Sequence, residues 1–473
     1  MKYKNIYAVF FSLLLFFSCT FFDPVLRENP EGEMPGHFSL TSGEGEIPEQ
    51  WWKSFEDKQL DQLIREALKG NFNLQEAWAR LRQVKAVAVQ AGASAYPDLY
   101  LDGDTSYGRQ RSKGDAGTSA RTVENYSLGL LSSYELDLWG KIRSEREAAA
   151  LAVSASQEDM YAAAMTIAAA VAERWTEIIS RGMQRRLLEK QLQTNRTYLE
   201  LVELRFFKGM VSALDVYQQK QVVEEIRSKI PLVEAQEQLL RHELALLLGK
   251  TARYPLEISR RDLPEPGKIP AIGLPADLLS MRPDIRAAGF RLQAADWDTA
   301  AARADRLPNI RLSATALYGA DELDLIFDNW LLRLVGSLSA PLFDGKRRSA
   351  EVERRRAIAD EKLMSYRRIV YTALKEAEDA LISEEKQRQH IRALELQMDA
   401  ARKALNHARE RYRKGLSDYL PVLTQILSVQ NLERNMLERR SELLIDRISL
   451  YRALGGTWMK DTGEKKGDMK NER

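Results

Sequence analysis

The sequence predicts a mainly α-helical protein with a membrane β-barrel portion, built from two tandem repeats that each contain two strands and a long helical hairpin. Three observations support this fold class. Short motifs recur about 206 residues apart, four segments alternate apolar and polar residues, and two long stretches contain no proline. The 473 residues have a hydrophobic content of 44% and a net charge of +2, so the composition does not indicate a nucleic-acid-binding protein.

The internal repeat is clearest where a charged segment ends in Lys-Gly. Arg205-Phe-Phe-Lys-Gly209 recurs as Arg411-Tyr-Arg-Lys-Gly415, and Tyr96-Pro-Asp98 recurs as Leu307-Pro-Asn309. The offsets are 206 and 211 residues, so the chain is two copies of one structural unit. The predicted boundaries are residues 51–250 for the first repeat, 251–275 for a linker, 276–458 for the second repeat and 459–473 for a polar tail.

The N-terminus has the features of an export signal. A positively charged start precedes an apolar run from Ile6 to Phe17, which is too short to span a bilayer as a mature helix. Cys19 is the single cysteine of the chain and follows this run in a context that resembles a lipobox. We therefore expect a signal peptide at residues 1–18 and a lipid-anchored, extended tether at residues 19–50. The alternative is a plain signal peptide with an incidental cysteine.

Four segments of about ten residues alternate apolar and polar side chains, a pattern shared by transmembrane β-strands and strands of soluble sheets. The membrane interpretation is favoured because the remaining chain is almost wholly long helix and offers no second apolar layer. A four-stranded sheet would leave unpaired edges in lipid, so several copies must pool their strands, and three copies would form a 12-stranded barrel. The predicted strands are about residues 97–108, 123–139, 308–319 and 331–343.

The alternation also predicts which side chains share a face of the barrel. The set expected to face lipid is Leu128, Leu130, Leu312 and Ala316. The set expected to face the lumen is Asp102, Asp104, Glu135 and Arg311. The polar spans 109–121 and 320–329 would then be exposed outer loops.

An unusually long helix is predicted after each strand pair. Residues 141–208 and 346–414 number 68 and 69, and neither stretch contains proline. Each would extend about 100 Å as one continuous helix. Heptad spacing of apolar residues predicts coiled packing, and a last helix with two apolar stripes can contact neighbours on both sides. The sequence thus predicts an α-helical barrel, with return helices at residues 212–248 and 417–454.

Residue types that carry catalytic or metal chemistry do not cluster along the chain. The four histidines show no ligand spacing, and one cysteine does not make a thiolate zinc site. Acidic pairs on the long helices are typical of solvated helix faces. We therefore predict no enzyme activity, no cofactor and no metal site. The histidines are His37, His242, His390 and His407.

Two further motifs resemble a known family. Leu278-Leu-Ser-Met-Arg-Pro-Asp-Ile-Arg-Ala-Ala288 and Leu454-Gly-Gly-Thr-Trp458 are similar to segments of the TolC-like outer-membrane factors, in the lipoprotein branch that serves resistance-nodulation-division pumps. The resemblance implies a homotrimer with a β-barrel in the outer membrane, an α-helical barrel through the periplasm and the linker at its equator. It also implies a periplasmic membrane-fusion adaptor and an inner-membrane pump as partners. The implied function is a passive exit duct for drugs or other small molecules.

The same resemblance implies a gate at the periplasmic mouth. The hairpin tips at Gly209 and Gly415 would form this mouth. Asp215 and Tyr412 match an acceptor and its tyrosine partner, which hold the mouth shut in the family. The alternative interpretation is that Asp215 caps the return helix and Tyr412 packs against a neighbour.

Three other gate positions depart from the family pattern. Ser417 stands where the family carries a basic residue, and Thr424 stands where some members carry an aspartate of an acidic ring. Asp418 would contribute to such a ring only from a different turn. An acidic ring at this mouth is therefore not a firm expectation.

Other functional classes remain open at the level of sequence. A periplasmic structural coiled-coil protein would use the helices, but the strands would have no purpose in it. An outer-membrane channel for type I protein secretion would use both. An envelope-acting hydrolase is less consistent, because the sequence lacks a nucleophile and base constellation.

Overall fold

The structure, a computed structural model of the chain, describes residue 24, residues 34–40, 50–114, 117–269 and 273–456, and residue 459. The predicted signal peptide, Cys19, most of the predicted tether and nearly all of the predicted tail lie outside the described residues. The helices are α1 (Lys58–Gly70), α2 (Phe72–Ala93), α3 (Lys141–Phe207), α4 (Ala213–Leu247), α5 (Leu278–Met281), α6 (Pro283–Ala304), α7 (Arg347–Arg413) and α8 (Leu420–Leu454). The strands are β1 (Asp98–Gly114), β2 (Gly117–Leu136), β3 (Asn309–Ala320) and β4 (Trp330–Ser339).

Two compact units contain these elements. The strand unit comprises Arg80–Gln157 and Ala287–Arg367 and holds β1 to β4. The helix unit comprises Glu158–Arg286 and Arg368–Arg473 together with Pro30–Ala79, and it holds α4 and α8. None of the helices within the described residues combines the length and the apolar composition required to cross a membrane.

The strands form one antiparallel sheet in the order β1-β2-β3-β4. β1 and β2 pair along their whole length, from Asp98 opposite Ser133 to Gly114 opposite Gly117. Only Tyr126–Leu136 of β2 also pairs with β3. The sheet is therefore four strands wide at one end and continues beyond β3 as a two-stranded ribbon.

The ribbon contradicts the prediction of an outer loop at residues 109–121. Residues 109–114 and 117–121 lie in β1 and β2 and pair with each other. The hydrogen bonds of a strand pair join backbone groups and need no apolar side chain. A polar ribbon therefore carries no alternation of apolar residues by which the sequence could reveal it. The second predicted loop, 320–329, contains a short 3₁₀ turn at Leu323–Leu325.

Two strands end earlier than the sequence predicts. β2 ends at Leu136 rather than at residue 139, because the Asp137 carboxylate accepts a hydrogen bond from the backbone N of Ile142 at 3.0 Å and caps α3. β4 ends at Ser339 rather than at residue 343, because Pro341 has no N–H to donate to a strand partner.

The two repeats produce helices of equal length. α3 and α7 each contain 67 residues, and the return helices α4 and α8 each contain 35. α4 begins after Ser212, which serves as its N-cap. α8 begins at Leu420 rather than at residue 417, since Pro421 is in its first turn, where the missing N–H has no helical acceptor to lose.

The same backbone turn closes both hairpins. Gly209 and Gly415 both have φ +71°, a conformation that glycine adopts without steric strain. The backbone N of Met210 donates to Arg205 O at 2.9 Å, and the backbone N of Leu416 donates to Arg411 O at 2.9 Å. Each turn thus satisfies a carbonyl at the end of the outgoing helix.

An apolar core holds the two hairpins of the helix unit together. Buried residues from α3, α4, α7 and α8 form one cluster, including Leu188, Ile226, Leu394 and Leu423. Full burial of each such side chain contributes about 1.5–3 kcal/mol to the free energy of unfolding. The predicted coiled packing of heptad positions is consistent with this cluster.

The repeats also share a way of capping their return helices. Asn71 Nδ2 donates to the Leu247 carbonyl at 2.9 Å, and Arg282 NH1 donates to the Ala453 carbonyl at 2.9 Å. The two donors are 211 residues apart and the two carbonyls 206 apart, the same offsets that the motifs show. Arg282 is 5% exposed and also pairs with Asp284 at 2.7 Å. The Arg-Pro-Asp motif therefore serves the C-terminus of α8.

Alanine substitutions of two glycines test the close approach of the backbone after α4 to the backbone at the end of α1. Gly249 has φ +72°, and a Cβ there would lie 2.1 Å from the Gly70 carbonyl oxygen. Gly209 has φ +71° with open space around it. We expect Gly249→Ala to lower the thermal unfolding midpoint more than Gly209→Ala, whose cost is limited to left-handed strain of about 1–2 kcal/mol. Equal shifts in the two variants would contradict a role for the close approach.

Candidate functional site

The strand register decides which side chains share a face of the sheet. Residues directly opposite each other in an antiparallel pair point to the same side. Glu135 lies opposite Arg311, whose NH2 is 3.3 Å from the Glu135 carboxylate. Asp102 and Asp104 point to the same side, because their partners on β2 are an even number of residues from Glu135. The structure therefore brings the four predicted lumen residues onto one face.

The opposite face is apolar and uncovered. It carries all four residues predicted to face lipid, Leu128, Leu130, Leu312 and Ala316. Leu101, Leu130, Ala316 and Leu332 form one row across the four strands. Leu101 is 73% exposed and Leu332 62% exposed. Exposed apolar groups in such a row indicate that something outside the single chain covers this face.

Apolar side chains are also exposed around the two hairpin turns. Phe207 and Met210 flank Gly209 and are 84% and 64% exposed. Leu416 directly follows Gly415 and is 63% exposed. Both tips thus present apolar groups suited to contact with another protein surface.

Asp215 caps a helix instead of binding Tyr412. Its Oδ2 accepts hydrogen bonds from the backbone N of Ser212 at 3.0 Å and from the Ser212 hydroxyl at 2.9 Å. The backbone N of Asp215 donates to Ser212 Oγ at 3.3 Å, which completes a capping box at the start of α4. A carboxylate in the first turn also interacts favourably with the helix dipole. The predicted hydrogen bond between Asp215 and Tyr412 is absent within one chain.

Tyr412 is a packing residue in the single chain. It is 8% exposed, and its hydroxyl has no hydrogen-bond partner among the described residues. The ring centroid lies 5.6 Å from that of Tyr419 and 4.3 Å from the guanidinium carbon of Arg205. Because Arg205 belongs to the first hairpin and Tyr412 to the second, this stack joins the two hairpins.

The remaining predicted gate residues lie in or near the start of α8. The Ser417 hydroxyl oxygen is buried and has no hydrogen-bond partner in the described part of the chain. Asp418 is exposed. Thr424 is exposed, and its hydroxyl donates to Leu420 O at 2.9 Å, a bond within the same helix.

A buried polar chain that the sequence interpretation missed begins at Tyr419. The Tyr419 hydroxyl donates to Gln219 Oε1 at 2.7 Å, and Gln219 Nε2 donates to Asn195 O at 2.8 Å. Tyr419 is 2% exposed, and Gln219 and Asn195 are fully buried. Burial raises the pKa of Tyr419 well above its usual range, so its hydroxyl stays a donor. Gln219 interrupts the apolar heptad stripe of α4, which is the signal that could have revealed this chain.

A second buried polar group ties α7 and α8 to the linker. Arg447 Nε donates to Glu384 Oε2 at 2.9 Å, and Arg447 NH1 donates to Pro266 O at 2.5 Å. The Glu384 side chain has no exposed surface. Burial, together with the nearby Glu384 and Glu442 carboxylates, raises the pKa of the neighbouring Asp446 to about 6.

These features define the class of protein. A sheet with one uncovered apolar face and one polar face cannot be the core of a water-soluble monomer. Each sheet edge, β1 and β4, pairs with one neighbour within the described chain, which leaves a row of backbone donors and acceptors for another strand. The strand unit on its own therefore has the features of one part of a membrane β-barrel.

Comparison with known proteins identifies the family. The model of the outer membrane efflux protein family matches residues 63–250 and 274–456, so the chain belongs to that family. The pyoverdine export outer membrane protein OpmQ of Pseudomonas aeruginosa is 33% identical over 422 residues, which cover 87% of this chain and 88% of that relative. The solved outer-membrane channel OprN has a TM-score of 0.86 at 28% identity, over 92% of this chain and 99% of that chain. VceC of Vibrio cholerae has a TM-score of 0.82 at 28% identity, over 87% of this chain and 100% of that chain.

These findings confirm the predicted fold class and the predicted family. The chain is an outer-membrane efflux channel subunit, and the members of its family are channel proteins.

Phenylalanine substitutions of two tyrosines at the second hairpin tip distinguish a hydrogen-bonding role from a packing role. Tyr419→Phe leaves Gln219 Oε1 buried without its donor, so we expect the free energy of unfolding to fall by about 1–3 kcal/mol. Tyr412→Phe removes a hydroxyl that has no partner, so we expect no loss. Urea unfolding of the purified protein, followed by circular dichroism, measures both. A larger loss for Tyr412→Phe would contradict the assigned roles.

Proposed function

We propose that three copies of this chain close a 12-stranded β-barrel in the outer membrane and that their helices continue it as an α-helical barrel through the periplasm. The assembly is the passive exit duct of a tripartite efflux system for drugs or other small molecules. An inner-membrane pump of the resistance-nodulation-division type supplies the driving force, and a periplasmic membrane-fusion adaptor joins pump and duct. The observation that carries this proposal is the exposed apolar face of a sheet that is open at both edges.

Lipid makes closure of the sheet obligatory. Water cannot satisfy the backbone N–H and C=O groups of β1 and β4 at membrane depth, and each unsatisfied group costs several kcal/mol. A small barrel of four strands cannot enclose a duct, whereas larger barrels enclose an aqueous channel. Pairing β1 of one copy with β4 of the next removes the open edges of the four-stranded part of the sheet and exposes the apolar face to lipid. It also turns Asp102, Asp104, Glu135 and Arg311 toward water.

The proposed lumen favours small solutes without narrow selectivity. Its face carries both carboxylates and a guanidinium, so it does not select one sign of charge. Pyoverdine is the exported compound in the name of the relative OpmQ, and export of a comparable small molecule is the matching proposal for this chain. Secretion of an unfolded protein through the same duct is the competing function, and the periplasmic coiled-coil alternative leaves the apolar sheet face without a purpose.

The hairpin tips are the proposed site of gating and adaptor contact. Apolar side chains at Phe207, Met210 and Leu416 offer a surface for the adaptor. The proposed gate consists of residues that follow these turns or precede them, namely Asp215, Tyr412, Ser417, Asp418 and Thr424. Since Asp215 caps α4 within one chain, any link that closes the mouth acts beside that cap and not in place of it.

Channel activity is tested in planar bilayers, with one substitution on each face of β2. Leu130 and Leu131 are adjacent and point to opposite sides of the sheet. We expect the wild-type protein to show discrete conductance steps. Leu130→Lys places a charge in lipid, which costs about 2–4 kcal/mol at mid-membrane and less near the edge of the apolar band, so it should reduce trimer assembly.

Leu131→Lys is the matched control, because the same charge would face the lumen. It should leave assembly intact and change the conductance or ion selectivity. Equal assembly defects in the two variants would show that the faces are assigned wrongly. Absence of any conductance from a correctly assembled trimer would refute the duct.

The lipid anchor is a separate part of the proposal. If Cys19 is diacylated, Cys19→Ser should abolish incorporation of labelled palmitate and change the mass of the mature chain. Trimers should still form, because the strands hold the protein in the membrane independently. Unchanged labelling of the variant would exclude acylation at this position.

A further inference from the structure

The ribbon formed by β1 and β2 beyond β3 differs from the rest of the sheet in its charge. Residues 109–121 carry four basic side chains and one acidic side chain. Arg109, Arg111 and Lys113 are spaced two residues apart on β1, so they point to one side. All three are exposed, and none forms an ion pair with another residue that the structure describes. They therefore form a basic row along one face of the ribbon.

This basic row continues the apolar face of the sheet. Leu99, Leu101 and Tyr107 precede Arg109 on β1 at even spacings and are 69%, 73% and 75% exposed. The side of β1 that faces lipid in the proposed barrel thus runs from the two leucines through Gly103 and Thr105 to Tyr107 and then to the basic row. Glu124 of β2 lies on the same face, opposite Tyr107, and is the acidic residue next to the start of the row. The opposite face of the ribbon carries a single basic residue between positions 109 and 121, Arg121, opposite Gln110.

Aromatic residues mark the level at which the change occurs. Each strand places one aromatic residue on this face towards the ribbon end of the sheet, and the register spreads the four over three successive rows. Tyr318 lies opposite Trp330, and Tyr126 and Tyr107 follow one and two rows further toward the ribbon. Barrels of outer membranes carry such aromatic girdles at the boundary between hydrocarbon and headgroups. The four residues are Tyr107, Tyr126, Tyr318 and Trp330.

The height of the apolar band agrees with this placement. From the row of Leu136 and Ile310 to the row of Leu128 and Tyr318 the strands advance by eight residues. At about 3.4 Å per residue this is roughly 27 Å of strand. A strand tilt of about 40° shortens it to roughly 21 Å, close to the band of about 25 Å found in outer-membrane barrels. On β1 this outermost row passes through Gly103, so the basic row begins six residues beyond the band and two residues beyond Tyr107.

The chain direction assigns the ribbon to the outer surface. β1 and β3 begin after α2 and α6, and β2 and β4 end before α3 and α7, so the four helices that adjoin strands all connect to the same end of the sheet. The ribbon is at the other end. In the proposed duct the helices extend into the periplasm, so the ribbon emerges at the cell exterior.

We propose that Arg109, Arg111 and Lys113 bind phosphate-bearing headgroups of the lipids that surround the barrel in the outer leaflet. This inference rests on the proposed function for the orientation of the sheet in the membrane. Guanidinium groups bind phosphate through paired, charge-assisted hydrogen bonds, and an ammonium group adds a third cation. A lipid headgroup is the occupant because the row is continuous with the lipid-facing side chains and begins at the aromatic girdle.

The test measures lipid binding by the full-length wild-type trimer in a neutral detergent. Diphosphorylated lipid A and its fully dephosphorylated form are the two probes, and the lipid bound per protomer is titrated by mass spectrometry. The triple variant Arg109→Gln, Arg111→Gln, Lys113→Gln should bind the diphosphorylated probe at least about tenfold more weakly, since each basic residue near an anionic surface contributes about 1 kcal/mol. Added salt should weaken wild-type binding.

Arg111→Gln and Arg121→Gln form a matched pair, because each removes one charge from the same ribbon on opposite faces. Arg111→Gln should weaken binding about fivefold and Arg121→Gln less than twofold. Equal losses in this pair would overturn the proposal, as would wild-type affinity in the triple variant or equal binding of the dephosphorylated probe. Conductance of the same preparations in neutral bilayers is recorded in parallel. Wild-type conductance in the triple variant shows an intact duct, so a failed lipid result then counts against the basic row and not against the duct.

Discussion

The structure depends on one constraint, which is that every backbone N–H and C=O group of a strand in lipid needs a partner from another strand. β2 and β3 meet this requirement within the chain, whereas β1 and β4 meet it on one side each. The exposed leucines of the sheet make the requirement strict, because they exclude water as a partner for the open edges. In the proposed assembly, closure with other copies meets this requirement, and the duct is a consequence of closure.

The tandem repeat provides the helical part of the duct by using the same local solutions twice. The turns at Gly209 and Gly415 have the same φ and the same backbone hydrogen bond. The return helices are capped by different side chains at equivalent positions, an amide at Asn71 and a guanidinium at Arg282. The guanidinium also binds Asp284 and Glu376, so the second repeat gains an ion-pair network that the amide cannot form. The two repeats therefore form the same helical arrangement with different capping side chains.

Polar groups inside the helix unit set the alignment of its helices. Apolar heptad contacts tolerate sliding by a turn, whereas the Tyr419 hydroxyl and Gln219 amide must meet at one alignment to avoid unsatisfied buried atoms. The buried Glu384 and Arg447 pair imposes the same condition near the linker. Buried ion pairs add little net stability because desolvation offsets their attraction. Their effect here is to define which neighbour each helix contacts.

The sequence alone determined the repeat, the long proline-free helices, the glycine turns and the two sets of side chains on opposite sheet faces. These features depend on period and on local backbone chemistry, which a single chain displays directly. The prediction of a closing bond between Asp215 and Tyr412 came from resemblance, and within one chain Ser212 occupies the carboxylate instead. The Tyr419 and Gln219 contact was not predictable, because it depends on how two helices 200 residues apart align. The ribbon at residues 109–121 was missed for a different reason. Pairing between strands is a property of the backbone, and only the tertiary structure shows which polar segments use it.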